Sequence, residues 1–204
     1  SNDLPDLFAY EAGAPLSVLI DSGKVKNITE AVDEIGTADY LNSGAVELLK
    51  GLSGTDDLYD LPLGLNVEGF WYNKALFEQA GCEVPTTWDE LKAACEALKA
   101  YDDSIYPWGI DMTTDEGQAA FAYYTWNNGG GFVDDEGNWT LNSEQNVEAI
   151  QYAIDLVNSG YTNTDPANDT RYDLQDMFGA GKVAMLIAPN SLPTYIATGG
   201  NEVN

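Results

Sequence analysis

The chain has no histidine. Without an imidazole there can be no Ser-His-Asp triad, no Cys-His pair and no His-built zinc site. Its two cysteines, Cys82 and Cys95, are too few for a disulfide framework. Cys95 shares helical spacing with Trp88, Leu91 and Leu98, so it reads as a small buried apolar residue. Cys82 falls in the loop before that helix, and spacing alone leaves a bridge between the two open. No apolar run approaches the ~18 residues of a membrane span. No basic, apolar leader opens the sequence either, so the leader of an exported protein would lie outside it.

Positive charge is equally scarce. Eight Lys and Arg face 34 Asp and Glu, a formal net charge of -26. Such a surface repels phosphate backbones, so no nucleic-acid partner is expected. The acids are scattered rather than blocked, which suits a solvated acidic face. Solubility or a salty habitat accounts for that more simply than attraction of a cation or a basic partner.

What is present suffices for a core, with 44% of residues hydrophobic. "LPDLFAY" (4–10) reads as a strand, and residues 14–21 as a helix stopped by Gly23. Short helices are expected around "AVDEI" and "AVELLKGL". Residues 67–72 read as a strand, followed by a helix capped by Asn73 and ended by Gly81. Thr87 and Glu90 form a capping-box pattern for a helix burying Trp88, Leu91, Cys95 and Leu98. "YPWGIDM" (106–112) reads as a strand, and "DEGQAAFAYYTWNN" as a helix stopped at Gly129 to Gly131. "GFVDDEGNWTL" reads as a hairpin. Asn142 and Gln145 suit the start of a helix with Val147, Ile150, Ile154 and Val157 on its apolar face. "RYDLQDMF" is a further helix, and "GKVAMLIA" (181–188) a buried strand with Met185 and Ile187 inside. Helices alternating with short strands predict an α/β fold.

Two acidic stretches fail as calcium loops. "DDEGN" (134–138) lacks the alternating ligands, sixth-place Gly and twelfth-place Glu, and suits a hairpin turn. "DPANDTRYDLQD" (165–176) lacks a third-place ligand and the sixth-place Gly. No motif selects a carboxylate pair for glycoside hydrolysis. Twelve Tyr and five Trp exceed obvious core needs and suit a polar ligand with an apolar face, such as a sugar. Trp88, Trp71 and Trp139 are nevertheless expected in the core.

Four stretches in order carry a family resemblance. "LPLGLNVEGFWYNKALFEQAG…PTTWDELKAACEAL" resembles the signature of the family 1 extracellular solute-binding proteins, the sugar-capturing subunits of ABC importers. "LPDLFAY…LIDSGKVKNIT", "WNNGGGFVDDEGNWTLNSEQNVEAIQYAIDLVNSGY" and "MFGAGKVAMLI" extend it over nearly the whole chain. The resemblance implies an α/β fold of the periplasmic-binding-protein type II, two-lobed and hinge-linked. Family members run to roughly twice this length or a little less. The fold is therefore expected to be incomplete here, with residues 1–64 part of the first lobe and 65–204 most of the second.

The resemblance also implies a function: capture of a carbohydrate by hinge closure and delivery to a membrane permease. It implies no catalysis and no cofactor or metal, a monomer, and an extracellular place, lipid-anchored or periplasmic. Tyr10 falls where the family places an aromatic that stacks on sugar, and Glu11 follows it. Asn66 occupies a hinge position that meets the ligand, and Glu68 shares its strand parity. Glu116, Gly117 and Gln118 open a helix that points at the ligand. Asn190 and Ser191 follow the Ala-Met strand, where the family's maltose binder carries a stacking Trp. Ser191 there suggests a smaller or differently shaped sugar. A polyamine or peptide ligand on the same fold, and a secreted acidic glycosidase or lectin, stay open as alternatives. Glu68 and Glu116 are the best local candidates for a hydrolytic pair.

Overall fold

The structure, a computed structural model, describes residues 5–10 and 14–199. They fall into two compact units that divide between Leu65 and Asn66.

The first unit is helical: α1 (Ala14–Asp21), α2 (Thr29–Glu34) and α3 (Ser43–Ser53), with a 3-10 turn at Ala38–Tyr40. Asn42 caps α3 by accepting a hydrogen bond from the Ala45 amide, and Gly54 ends it in the left-handed conformation, φ 68°. Leu16, Val32, Leu49 and Leu58 form its small core. The Ile28 amide donates to the Leu58 carbonyl, and the Leu58 amide to the Thr29 hydroxyl, each at 2.8 Å. The strand expected over 4–10 does not form in residues 5–10, which are exposed and have no ladder partner.

The second unit is built on a mixed three-stranded sheet. Its strands are β1 (Glu68–Tyr72), β2 (Tyr106–Trp108) and β3 (Val183–Pro189), in the order β1-β3-β2. β3 runs antiparallel to β1, with Glu68 opposite Pro189 and Tyr72 opposite Met185. It runs parallel to β2, with Trp108 opposite Met185. Six helices surround the sheet: α4 (Lys74–Ala80), α5 (Trp88–Tyr101), α6 (Gly117–Asn127), α7 (Glu144–Asn158), α8 (Arg171–Gly179) and α9 (Leu192–Thr198). Alternation along β3 sends Met185 and Ile187 to one core, with Leu98, Trp108 and Leu156. Leu186 and Ala188 go to the other, with Leu174, Leu192 and Ile196. A strand buried on both faces needs a continuous apolar run, which "VAMLIA" supplies.

Local chemistry fixes the elements with some departures from expectation. Asn73 caps α4 as expected, accepting from the Leu76 amide at 3.1 Å. Thr87 caps α5, but the box is displaced: Glu90 reaches back to the amide and hydroxyl of Thr86, both at 2.7 Å. The cap of α7 is Ser143 rather than Asn142. The expected strand over 106–112 stops at Trp108, because the Ile110 and Met112 amides turn to Asn163 Oδ1 and the Pro166 carbonyl. The hairpin is present as one bridge, Val133 to Trp139, with the Asp134 carboxylate accepting from the Glu136 and Asn138 amides. That carboxylate is committed to the turn. Trp139, expected in the core, is 76% exposed at the edge of this hairpin. Trp88 and Trp71 are half-buried against the two cores.

The largest correction concerns α7. It buries Asn146, Ala149, Ala153 and Leu156, while Val147, Ile154 and Val157 are exposed. The inward face is thus one residue, about 100°, away from the most hydrophobic stripe. Two alanines let the helix approach closely, and Asn146 does something no aliphatic residue could. Its Oδ1 accepts from the Gly131 amide at 3.0 Å. Its Nδ2 donates to the Gly131 and Thr140 carbonyls at 2.8 and 2.9 Å. The side chain is 1% exposed, so these bonds have no water to replace them. Gly130 lies against it, and a Cβ there would come within 2.1 Å of Asn146 Oδ1.

Asn146→Ala should therefore leave the Gly131 amide and the Thr140 carbonyl unpaired, the Gly131 carbonyl keeping the Thr140 hydroxyl at 3.0 Å, and cost about 2–4 kcal/mol. Gly130→Ala should displace the same amide and weaken the same unit. Urea unfolding checks both, and a loss below about 0.5 kcal/mol for Asn146→Ala would contradict the assignment.

Candidate ligand-binding site

A concavity opens on the second unit where β1, the end of β2, α6 and α8 meet. It spans about 480 Å³, counted out to solvent. Its apolar wall includes Trp108, Ile110, Leu174 and Ile187, and its polar groups come from Glu68, Asp111, Glu116 and Arg171. Tyr123 and Tyr124 supply further aromatic surface.

Each side chain is placed for a physical reason. Pleat parity puts Glu68 on the same face of β1 as Phe70, whose ring stacks on Trp108 at 5.7 Å and 21°. Trp108 in turn donates its Nε1–H to the buried Tyr124 hydroxyl at 2.7 Å, which fixes the indole. On α6, Glu116, Ala119, Ala120, Tyr123 and Tyr124 repeat at three- and four-residue spacing and so share one face. Gly117 lets the chain turn tightly into α6, since a Cβ would meet the Met112 carbonyl carbon at 3.3 Å. Gly109 lets the end of β2 lie close to Val183 and Leu174.

The site's charge centre is Arg171, at the first turn of α8. Its Nε donates to both oxygens of Glu116, at 3.0 and 2.8 Å, and its guanidinium lies 4.5 Å from the Tyr172 ring centroid. Those hydrogen bonds to Glu116 raise the guanidinium's pKa further, against the opposing effect of burial. Burial raises the Glu68 carboxyl above the usual carboxylate range; Arg171 pulls it down and Glu116 pushes it up. Tyr123 is pushed up to about 12, first by burial and then by Glu68 and Glu116. Asp111 Oδ1 accepts from the Thr113 amide at 2.8 Å, but its Oδ2 is shielded and has no partner.

Among the residues expected at a site, Glu68 and Glu116 line this concavity together. Gly117 and Gln118 lie on the adjoining first turn of α6 without lining it, Gln118 being exposed. Asn66, Asn190 and Ser191 are exposed near the Glu68 end of the β1–β3 pair, where the Asn190 amide donates to the Val67 carbonyl at 3.0 Å. Tyr10 belongs to the first unit, half exposed, with its ring edge-on to Phe8 at 5.9 Å. Glu11 lies outside the described residues. Sequence reasoning missed Asp111, Tyr123 and Arg171. A signal existed for the last: Arg171 is the only arginine in a chain with 34 acids.

The electrostatic coupling is directly testable. Arg171→Met removes the group that stabilises the Glu68 anion, so the Glu68 pKa should rise; Glu116→Gln should lower it. Carboxyl NMR titration reads both, and shifts of the same sign would refute the arrangement. Because folding raises the Glu68 pKa, its charged form costs stability above the native pKa, and that cost declines as pH falls from the native pKa to the ordinary carboxyl value and is gone below it. Glu68→Gln should then raise Tm slightly at neutral pH, by an amount that solvent screening of this exposed side chain keeps small, and the gain should vanish once pH has fallen below the ordinary carboxyl pKa.

Comparison with known proteins identifies the family. Residues 1–203 match the family described as bacterial extracellular solute-binding protein. A protein of Brucella abortus (strain 2308), named as a binding protein, is 31% identical over 139 residues, 68% of this chain and 34% of that one. The multiple sugar-binding protein of Streptococcus mutans is 33% identical over 107 residues, 52% of this chain and 24% of that one. A sugar transporter structure from Arthrobacter chlorophenolicus A6 with bound laminaribiose superposes with a TM-score of 0.77 at 25% identity, covering 90% of this chain and 47% of that one. The chain thus spans about a third of the first relative and about half of the solved structure. Its fold is the periplasmic-binding-protein type II fold, of which it carries part. With a match running from residue 1 to residue 203, the chain belongs to the bacterial extracellular solute-binding protein family.

Proposed function

We propose that this chain is part of the extracellular substrate-binding component of an ABC transporter, one that captures a carbohydrate and delivers it to a membrane permease. The observation that carries the reading is the concavity of the second unit. Hydrogen-bonding groups on Glu68, Asp111, Glu116 and Arg171 surround an aromatic and aliphatic wall. A sugar ring needs both, acceptors and donors for its hydroxyls and an apolar surface for its C–H face. The names of the Streptococcus and Arthrobacter proteins, both of which refer to sugars, support it.

In this reading residues 1–64 are part of a first lobe and 65–204 most of a second. The division of the described residues between Leu65 and Asn66 favours that boundary. Closure of lobes about a hinge would exclude water and strengthen the polar contacts. Asn66, Asn190 and Ser191 would then extend the site beyond Glu68, Gly117 and Gln118 would flank it on α6, and Tyr10 and Glu11 would belong to the other wall. The protein would act as a monomer outside the cell, lipid-anchored or periplasmic. It would be a binder and not an enzyme: Arg171 holds both oxygens of Glu116, so that carboxylate is poorly placed to take or give a proton during hydrolysis.

Thermal shift against mono- and oligosaccharides, polyamines and calcium tests the reading. A sugar class should raise Tm with the logarithm of its concentration, as expected for a ligand that binds only the folded state. A shift by polyamine or calcium with none by any sugar would overturn it.

A further inference from the structure

The aromatic rings around the concavity are not equally available. Trp108 is 5% exposed and Tyr124 is buried beside it, so neither offers a ring face to a ligand. Phe70 does, being 41% exposed. It stands among residues that line the concavity. Glu68 precedes it by two positions on the same face of β1, Ile187 is its partner across the β1–β3 register, and Trp108 stacks on it. The ring is also held from behind. Trp108 lies against it at 5.7 Å and 21°, and the bond from the indole Nε1–H to the Tyr124 hydroxyl fixes Trp108 in turn. Tyr124 meets Trp88 edge-on at 6.4 Å, and Trp88 stacks on Tyr152 at 4.6 Å. A run of aromatic contacts thus leads from the core to an open ring. The exposed part of that ring contributes nothing to folding until something apolar covers it. A surface already fixed in orientation has little freedom left to lose when a ligand does so.

Resting on the reading of this concavity as a carbohydrate site, we propose that Phe70 is the surface on which the sugar ring stacks, with Glu68 accepting hydrogen bonds from the hydroxyls at that ring's edge. The negative face of an aromatic ring attracts the C–H groups on one side of a pyranose. Residues two apart on one face of a strand are about 7 Å apart, so a ring laid on Phe70 brings its outer hydroxyls towards the Glu68 carboxylate. That carboxylate can accept from neighbouring hydroxyls with both oxygens. Trp108 and Tyr124 are positioning residues for the platform. The ligand class follows from the shape of the surface: a ring with an unbroken C–H face. An open-chain hexitol offers similar hydroxyls without a flat face, and it binds less tightly.

The test is an NMR titration of the chain at pH 7 with methyl glucosides, galactosides and mannosides of both anomeric forms, and with the matching hexitols. Backbone amides of Ile110, Ala119 and Ala120 report binding in the concavity, and those of Leu98 and Leu156 report an intact core. At least one pyranoside should show nuclear Overhauser contacts from its ring C–H protons to the Phe70 ring. It should bind roughly fivefold more tightly than its hexitol. Phe70→Ala should remove most of that advantage, and Phe70→Tyr should keep it. Tyr124→Phe should narrow the advantage while the hexitol's affinity stays the same. If a pyranoside binds the concavity but contacts Tyr123 and not Phe70, the platform is wrong while the carbohydrate reading stands. The same holds if Phe70→Ala, with its core amides in place, binds the pyranoside as tightly as before. If Phe70→Ala does not fold, the contacts seen in the unaltered chain decide alone. If no sugar perturbs the concavity, both the platform and the carbohydrate reading fall.

Discussion

The second unit depends on β3 being buried on both faces and paired on both edges. Val183 to Leu186 are wholly inaccessible. A strand in that position cannot tolerate a polar side chain without a partner, and its backbone must find ladder bonds on both sides. β1 provides one ladder, antiparallel, and β2 the other, parallel. Everything else takes position from this. The antiparallel register sets Glu68 opposite Pro189 and so puts the carboxylate at the end of the sheet. The parallel register puts Trp108 opposite Met185, where Phe70 reaches across to stack on it. The concavity is the gap left where β2 stops at Trp108 and its continuation is taken over by Asn163 and Pro166. Had β2 run on to Met112 in the ladder, the chain carrying Ile110 and Asp111 would have followed the sheet instead.

Much of this order could be read from the residues. "VAMLIA" has no alternative to a doubly buried strand, and the caps at Asn73 and Thr87 rest on local chemistry that tertiary structure did not override. What could not be read depended on partners distant in sequence. Hydrophobicity along α7 points to Val147 and Ile154, yet the helix turns inward on Asn146 and two alanines. The reason lies 15 residues away, in the backbone of Gly131, which Asn146 satisfies from both sides. A periodicity count scores Asn as polar and therefore outward, and cannot register a buried amide whose bonds are all made. Trp139 fails for a related cause: one bridge to Val133 holds it on a short hairpin with nothing above the indole.

The candidate site divides along the same line. Glu68 and Glu116 were legible, one by strand parity and one by its place at the start of a helix. Arg171 was not, since it sits 55 residues from Glu116 and its role exists only through that contact. Its rarity was visible, but rarity has no direction. In a chain so acidic, a lone guanidinium could have served at any of dozens of carboxylates. The fold selects Glu116, at the entrance to α6, and brings α8 across to it.

That choice has a consequence for the neighbouring acids. An ion pair that is partly exposed contributes little to stability, on the order of 1 kcal/mol or less. Its larger effect is on what remains. By holding Glu116, Arg171 fixes one carboxylate's orientation, while among the described residues Glu68 has no fixed donor and Asp111 keeps only the Thr113 amide on Oδ1. The mutual repulsion of such groups is tolerated only where water or a ligand can reach them, and Glu68 stays partly open to solvent. A wall of this kind is an unfavourable place for bulk water to order, because aromatic carbon surrounds the few polar anchors. A molecule carrying donors on one edge and C–H on its face meets both demands at once.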